Sequence, residues 1–183
     1  SDVCSSDLEK LGGRMRLAVV GGAPLPGSVA RLFIGLGLPM IQGYGLTETS
    51  PVISVNTIEK NDPDSVGCLL EDVEAKIGDQ DELLVRSPGI MLGYWANEKA
   101  TSEMIDSEGW LHTGDLGYMD EDGYLFIVDR KKDLIKPSGF QVWPREVEEV
   151  IASHPAVAEV GVAGMPDKLR GEVVKAWVVL EQG

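Results

Sequence analysis

The chain has 183 residues, of which 43% are hydrophobic and 25% charged, a composition typical of soluble globular domains. Its formal net charge of −14 argues against non-specific binding to nucleic acid, which requires a basic surface. The sequence has no run of about 18 uncharged apolar residues, so we expect no membrane-spanning helix. Cys4 and Cys68 lack the spacing of a disulfide framework or a zinc site, and we expect a cytoplasmic protein.

The residue pattern changes along the chain and divides it into segments. Residues 1–10 are polar and lack periodicity, so we interpret them as a non-native scar and exclude them from the fold prediction. Residues 11–64 alternate strand and helix, residues 65–130 carry short alternating strands, and residues 131–183 combine a helix with strands. The predicted fold class is therefore α/β followed by α+β.

Within residues 11–64, a helix lies between two short apolar segments. Pro26 is expected in the first turn of the helix and Gly37 at its end, and the flanking strands are predicted at 15–20 and 38–42. This order is typical of a βαβ unit with a parallel strand pair. Ligands of such sheets bind at the carboxyl ends of the strands, where residues 21–23 and 43–45 lie in this sequence.

Residues 65–130 predict a small antiparallel sheet or barrel. Strands are expected at 73–77, 82–86, 116–119 and 124–128, the last two joined by the turn 120–123. Asn97 is the expected N-cap of a helix that ends near residue 105. In the last segment we expect a helix at 144–153 and strands at 157–163 and 173–180.

The loop from Tyr44 to Glu48 contains side chains suited to a nucleotide. Glycines on both sides of Tyr44 allow its ring to lie against a planar base, the Thr47 hydroxyl can donate to a phosphate, and the Glu48 carboxylate is a ligand type that Mg²⁺ prefers. The alternative is an ordinary loop with a capping threonine and a surface glutamate.

The second candidate group contains an acidic residue, Asp115, and a cluster of basic residues that begins at Arg130. Asp115 follows a glycine and could accept from both hydroxyls of a ribose, although a turn-capping aspartate is the alternative. Arg130 begins a cluster of basic residues in an otherwise acidic chain and could bind ribose or phosphate, or simply form a solvated basic turn.

Taken together, segments 21–25, 42–48, 109–115 and 129–146 resemble the successive signature motifs of the adenylate-forming superfamily. This superfamily contains acyl-CoA synthetases, adenylation domains of peptide synthetases, and beetle luciferases. Segments 91–95, 127–133 and 138–140 are most similar to the long-chain fatty acyl-CoA synthetase branch. The resemblance implies that residues 11–64 end a large α/β nucleotide-binding domain, that 65–130 form an antiparallel β subdomain, and that 131–183 begin a mobile C-terminal α+β domain.

The resemblance also implies roles for single residues. The adenine would contact Gly22, Ala23 and Tyr44, and the ribose would contact Asp115 and Arg130. Lys132 would be the hinge on which the C-terminal domain swings, and Gly139 would lie beside the path of the pantetheine. The residues assigned to cofactor binding are Gly22, Ala23, Tyr44, Gly45, Asp115, Arg130 and Gly139, and those assigned to catalysis are Thr47, Glu48 and Lys136, with Glu48 also holding Mg²⁺.

The implied reaction joins a fatty acid to the α-phosphate of ATP and then transfers the acyl group to CoA. The expected cofactors and partners are ATP or AMP, Mg²⁺, CoA and a fatty acid, without nucleic acid, and peripheral contact with the inner membrane face is compatible with this function. The alternatives are a ligase of another acid (an aryl, medium-chain or amino acid) and a non-catalytic nucleotide-binding module. Because the family's phosphate loop would precede residue 1 and its catalytic lysine would follow Gly183, we expect an internal fragment that is inactive alone.

Overall fold

The computed structural model describes residues 13–181, except for the side chain of Lys132, so the predicted scar at 1–10 lies outside the described residues. The chain forms two compact units. We call Ser1–Thr113 with Gly117–Val128 the first unit, and Gly114–Leu116 with Asp129–Gly183 the second unit. The two units group residues whose backbones lie close together. They do not test the predicted domain boundary at residue 64.

The first sheet of the first unit contains the predicted βαβ unit. Strands β1 (Ala18–Val20) and β2 (Met40–Gly45) are parallel, and helix α1 (Gly27–Gly35) connects them. The strands β3 (Val52–Val55) and β4 (Cys68–Leu69) continue the sheet in the order β1-β2-β3-β4. The parallel pair is confirmed, but the sheet is mixed, because β2–β3 and β3–β4 are antiparallel.

Strand β2 begins and ends later than the sequence predicted. Pro39 lacks an N–H to donate, which disfavours a strand position there. At the other end, Gly43 and Tyr44 pair with Val55 and Ser54, so β3 extends the strand into the glycine-rich segment. The predicted loop at residues 43–45 is therefore the end of a strand, and the turn begins only after Gly45.

A second four-stranded sheet has the order β5-β6-β7-β8. Its strands are β5 (Glu74–Ile77), β6 (Glu82–Arg86), β7 (Leu111–Met119) and β8 (Leu125–Arg130). The predicted antiparallel pairing of β5 with β6 and the turn at 120–123 are confirmed, and Asp120 Oδ1 accepts from the N–H groups of Asp122 and Tyr124. Helix α2 (Glu98–Met104) begins as predicted, with the Asn97 side chain accepting from the N–H of Ala100 at 3.0 Å.

The core of the first unit lies where its sheets meet. Ile53 of β3 packs with side chains of β6, β7 and β8 that are at most 1% exposed: Leu83, Val85, Leu111 and Leu125. Backbone hydrogen bonds also join the sheets, because Val66 N–H donates to the Leu125 carbonyl at 2.8 Å and Leu125 N–H donates to Gly67 at 2.9 Å.

The second unit contains helix α3 (Pro144–Ala152) and a long antiparallel hairpin. Its strands are β9 (Val157–Asp167) and β10 (Gly171–Leu180), both close to the predicted positions. Helix α3 packs on β9, where the Glu148 carboxylate accepts from the Val162 N–H at 2.7 Å. Among residues 13–181, the helices are too short or too polar to cross a membrane.

Candidate functional site

The loop after β1 begins the first group of predicted site residues. Gly22 has a φ of +81° and Ala23 is exposed, so the backbone turns sharply and presents small side chains to solvent. The loop is anchored by Gln42 of β2, which is only 7% exposed. Its Oε1 accepts from the Leu25 N–H at 3.3 Å, and its Nε2 donates to the Pro63 carbonyl at 3.0 Å. Sequence reasoning did not identify this anchor.

Tyr44 and Gly45 lie at the end of β2, beside the loop that follows β1. Val20 pairs with Gln42 in the parallel register, so both loops leave the same edge of the sheet. The Tyr44 side chain is half-buried and packs in part against the core. Gly45 is required because a Cβ there would overlap the backbone carbonyl of Pro51. The glycine thus allows β2 and β3 to approach at the point where their register shifts.

Thr47 and Glu48 begin a 3₁₀ turn over Thr47–Thr49. The capping threonine is Thr49, which is 4% exposed; its Oγ1 accepts from the Leu46 N–H at 3.1 Å and lies 2.9 Å from the carbonyls of Leu46 and Pro51. Thr47 is exposed. The ordinary capping role therefore belongs to Thr49, and the Thr47 hydroxyl is available at the surface.

Glu48 is half-buried and is held at both its main chain and its side chain. Its carbonyl accepts from the Met91 N–H at 2.8 Å, and its Oε1 accepts from the Tyr94 hydroxyl at 2.8 Å. Burial and this hydrogen bond raise the pKa of Tyr94 above its ordinary value, so the phenol remains a donor at neutral pH. Tyr94 was not predicted as a site residue.

The carboxylate of Glu48 is compatible with Mg²⁺ only in the presence of a phosphate ligand. The part of the chain that the structure describes contains no cluster of at least three His, Cys, Asp or Glu side chains arranged for a metal ion. Mg²⁺ commonly binds through one or two carboxylates, substrate phosphates and water, so a single glutamate beside a nucleotide fits this ion.

Asp115 and Arg130, the first residues of the second candidate group, contact each other through their side chains. Asp115 lies in β7, is 5% exposed, and its Oδ1 is 3.4 Å from Arg130 Nε. The sequence predicted a strand from residue 116, but β7 already begins at Leu111, so Asp115 lies inside a strand and not before it. Arg130 ends β8 and is exposed. The exposed guanidinium thus orients a buried carboxylate.

Lys136 and Gly139 lie in an exposed segment that is held by Arg170, in the turn before β10, and by Glu172, in β10. The Lys136 N–H donates to Glu172 Oε2 at 2.7 Å, and the Ser138 N–H donates to the Arg170 carbonyl at 2.8 Å. Gly139 has a φ of +86°. Glu172 and Arg170 were not predicted, because they follow Lys136 by more than thirty positions and belong to no local motif.

The predicted site residues are distributed over both units. Those of the first unit are Gly22, Ala23, Tyr44, Gly45, Thr47 and Glu48, and those of the second unit are Asp115, Arg130, Lys132, Lys136 and Gly139. The structure brings neighbours together within each group, as in the pair Asp115–Arg130. The expected convergence of both groups on one nucleotide stays a prediction, as does the hinge role of Lys132, which lies in a 3₁₀ turn.

Comparisons with known proteins agree with these motifs. The long-chain-fatty-acid–CoA ligase of Bacillus subtilis (strain 168) is 44% identical over 176 residues, which cover 89% of this chain and 31% of that ligase. The luciferin 4-monooxygenase of Photinus pyralis is 46% identical over 89% of this chain and 32% of its own length. The crystal structure of ATP-bound MatB from Rhodopseudomonas palustris superposes with a TM-score of 0.85 at 34% identity, covering 95% of this chain and 37% of that chain.

The family matches themselves cover both ends of the chain. Residues 4–95 match the family described as AMP-binding enzyme, and residues 146–183 match the AMP-binding enzyme C-terminal domain. The chain spans about a third of the length of the curated relatives it matches. On the basis of these matches and of the motif residues described above, the chain belongs to the family of AMP-binding enzymes.

Proposed function

We propose that this chain forms part of an ATP-dependent acid–thiol ligase, which converts a fatty acid into an acyl-adenylate and then transfers the acyl group to CoA. The observation that supports it best is the position of the loops after β1 and β2 at one edge of a sheet. The loop after β1 offers Gly22 and Ala23, which leave room for a flat base, and the end of β2 carries Tyr44, whose ring stacks on that base.

In the first step, a carboxylate oxygen of the acid attacks the α-phosphorus of ATP and pyrophosphate leaves. The exposed Thr47 hydroxyl donates to a phosphate oxygen, and the Glu48 carboxylate would hold Mg²⁺. When bound, Mg²⁺ neutralises negative charge on the phosphates. Asp115 accepts from the ribose hydroxyls, and Arg130, whose Nε lies 3.4 Å from Asp115 Oδ1, orients that carboxylate.

In the second step, the CoA thiol attacks the acyl carbonyl carbon and AMP leaves. We assign Lys132 as the hinge of the second unit, and we place Lys136 and Gly139 at the site during this step. The hydrogen bonds from Lys136 N–H to Glu172 of β10 and from Ser138 N–H to Arg170 of the preceding turn support this assignment, because they hold the segment against the hairpin. A domain rotation between the steps allows one site to serve both reactions.

The choice of a fatty acid rests on the ligases among the relatives, whereas the choice of adenylation rests on the site. The chain is about as similar to a luciferin 4-monooxygenase as to a fatty-acid ligase, so a ligase of another acid is the second candidate. A non-catalytic nucleotide-binding module is the third, and it predicts nucleotide binding without turnover.

Binding of AMP to the 183-residue chain, measured by calorimetry, tests the nucleotide site. Asp115→Ala removes the acceptor of the ribose hydroxyls and should weaken binding by about 1.5–3 kcal/mol. Asp122→Ala, in the exposed turn before β8, is the matched control and should bind AMP normally. Equal affinities of the Asp115→Ala variant and the unmodified chain would reject the ribose role.

A hybrid enzyme tests the reaction. The chain replaces the matching third of the Bacillus subtilis ligase, and both ATP–pyrophosphate exchange and acyl-CoA formation are measured with fatty acids and aryl acids. We expect both activities with a fatty acid, and a preference for an aryl acid would favour the second candidate. In the same hybrid, Lys132→Pro should slow thioester formation more than adenylation, and equal slowing would contradict the hinge assignment.

The isolated 183-residue chain is the negative control for the hybrid enzyme. We expect no ATP–pyrophosphate exchange from it with a fatty acid, because it spans about a third of its relatives. Exchange by the isolated chain would refute this expectation.

A further inference from the structure

A tyrosine outside the predicted site contacts the candidate Mg²⁺ ligand. The Tyr94 hydroxyl donates to Glu48 Oε1 at 2.8 Å, although the residues are 46 positions apart. Both belong to the first unit and both side chains are half-buried. A phenol that donates to one carboxylate oxygen restricts the rotation of the carboxylate, because turning it would break the bond.

The main chain at Tyr94 is fixed to helix α2. The Tyr94 N–H donates to Thr101 Oγ1 at 2.9 Å, and this hydroxyl donates to the Asn97 carbonyl at 2.9 Å. The preceding residue, Gly93, has a φ of +145°, and a Cβ there would lie 2.8 Å from Thr101 Cγ2. Only glycine fits at this approach, so Tyr94 is anchored at both its backbone and its hydroxyl.

Polar contacts join this loop to the turn of Glu48, and Ile90 of the same loop packs against the core. The neighbouring apolar side chains of Leu92 and Trp95 are fully exposed. The Met91 N–H donates to the Glu48 carbonyl, so the same loop contacts Glu48 at its main chain and at its carboxylate. A loop built only to cover the core would bury its leucine and tryptophan instead.

We propose that Tyr94 is a positioning residue for Glu48: its hydroxyl holds Oε1, so that the carboxylate would be oriented for the Mg²⁺ of a bound nucleotide. The inference rests on the proposed function, in which Glu48 is the Mg²⁺ ligand. Partners of metal-ligating carboxylates fix the orientation of the ligand, and their loss commonly weakens metal affinity by about 10–100-fold.

The ligand-free chain tests the positioning itself. Three-bond NMR couplings to the Glu48 β-protons report whether its side chain occupies one rotamer or several. We expect one rotamer in the unmodified chain, an average over rotamers in Tyr94→Phe, and one rotamer in the control Tyr118→Phe, which removes a hydroxyl from a half-exposed ring stacked on Phe126. One rotamer in the Tyr94→Phe variant would overturn the proposal, and a normal amide spectrum of that variant verifies its fold.

The consequence for the metal is tested by calorimetry with ATP, in the presence of Mg²⁺ and in the presence of a chelator. Tyr94→Phe should reduce the Mg²⁺-dependent gain in ATP affinity by about 10-fold and leave chelated ATP binding unchanged. In a Glu48→Gln background, the same substitution should have no further effect, because Tyr94 acts through the carboxylate.

The outcomes separate this inference from the proposed function. An unchanged Mg²⁺ gain in Tyr94→Phe, with a normal gain in the unmodified chain, would overturn the positioning role and leave the proposed function standing. A missing Mg²⁺ gain in the unmodified chain would overturn the role of Glu48 and the inference with it. An effect of Tyr94→Phe that persists in the Glu48→Gln background would show a role independent of Glu48 and would also overturn it.

Discussion

In the first unit, the turn of Glu48 follows a strand at the edge of a dense core, whereas in the second unit the segment of Lys136 buries Ile135 but is exposed at residue 136 and from 138 to 141. Ile53 and Leu83 of the first unit are at most 1% exposed, but Phe140 and Leu180 of the second are 73% and 63% exposed. Burial therefore stabilises the first group of site residues, and polar tethers such as Glu172 stabilise the second. We expect the first group to tolerate the loss of a single hydrogen bond and the second to depend on a few such bonds.

The largest expected effect comes from a core truncation. Leu83→Ala removes a fully buried side chain of β6 and should destabilise the first unit by about 3 kcal/mol, the typical cost of a cavity in a packed core. Val178→Ala, in the exposed strand β10, should cost less than about 1 kcal/mol. Denaturant dependence of amide exchange measures each unit, and equal costs would contradict the difference between them.

The second largest loss of stability is expected where the backbones of β2 and β3 approach each other at Gly45. Gly45→Ala places a methyl group onto the Pro51 carbonyl and should cost about 1–3 kcal/mol through displacement of β2 from β3. Gly161 of β9 is the matched control, because a Cβ there meets no atom within 4 Å among the described residues, and Gly161→Ala should be neutral or slightly stabilising. Urea unfolding compares the two variants, and a destabilised Gly161→Ala variant with a stable Gly45→Ala variant would reverse the argument.

The next effect is local and concerns the hydrogen bond from the Lys136 N–H to Glu172 in the second unit. Glu172→Ala removes the carboxylate that accepts from the Lys136 N–H, so exchange of that amide should accelerate by about 10-fold. Glu159→Ala, at an exposed position of β9, changes the same charge without touching this bond and should leave the rate unchanged. If the Lys136 amide exchanges at the same rate in both variants, the segment is held by something other than Glu172.

The smallest effect depends on pH. The N–H groups of Arg170 and Leu169 hold the pKa of Asp167 below its ordinary value, so this aspartate stabilises the turn between β9 and β10 above the ordinary aspartate pKa. The stabilisation is lost as the pH falls through the lowered pKa, because protonation weakens the acceptor. The difference in thermal midpoint between the unmodified chain and Asp167→Asn should shrink toward acid pH, and a constant difference would exclude the charge of Asp167 as the cause.

Local patterns were sufficient for most of the elements. Asn97 was predicted as an N-cap and accepts from the Ala100 N–H, since a cap and its helix are adjacent in sequence. The turn after β7 was equally readable, because Asp120 bonds to residues within four positions. The boundaries were less accurate: β7 begins five residues before the predicted start at residue 116, because pairing partners and not local pattern decide where a strand begins.

For the site, the sequence by itself determined the kinds of side chain and their order. The family matches include the motifs at 21–25 and 42–48, and the roles of single residues stay predictions. Only the tertiary structure decided how those side chains are held: Tyr94 donates to Glu48, Gln42 anchors the loop after β1, Arg130 faces Asp115, and Glu172 holds Lys136. The reason is physical. Caps, turns and periodic faces depend on residues within a few positions, whereas these contacts join segments that are brought together only when the sheets pair and the core closes.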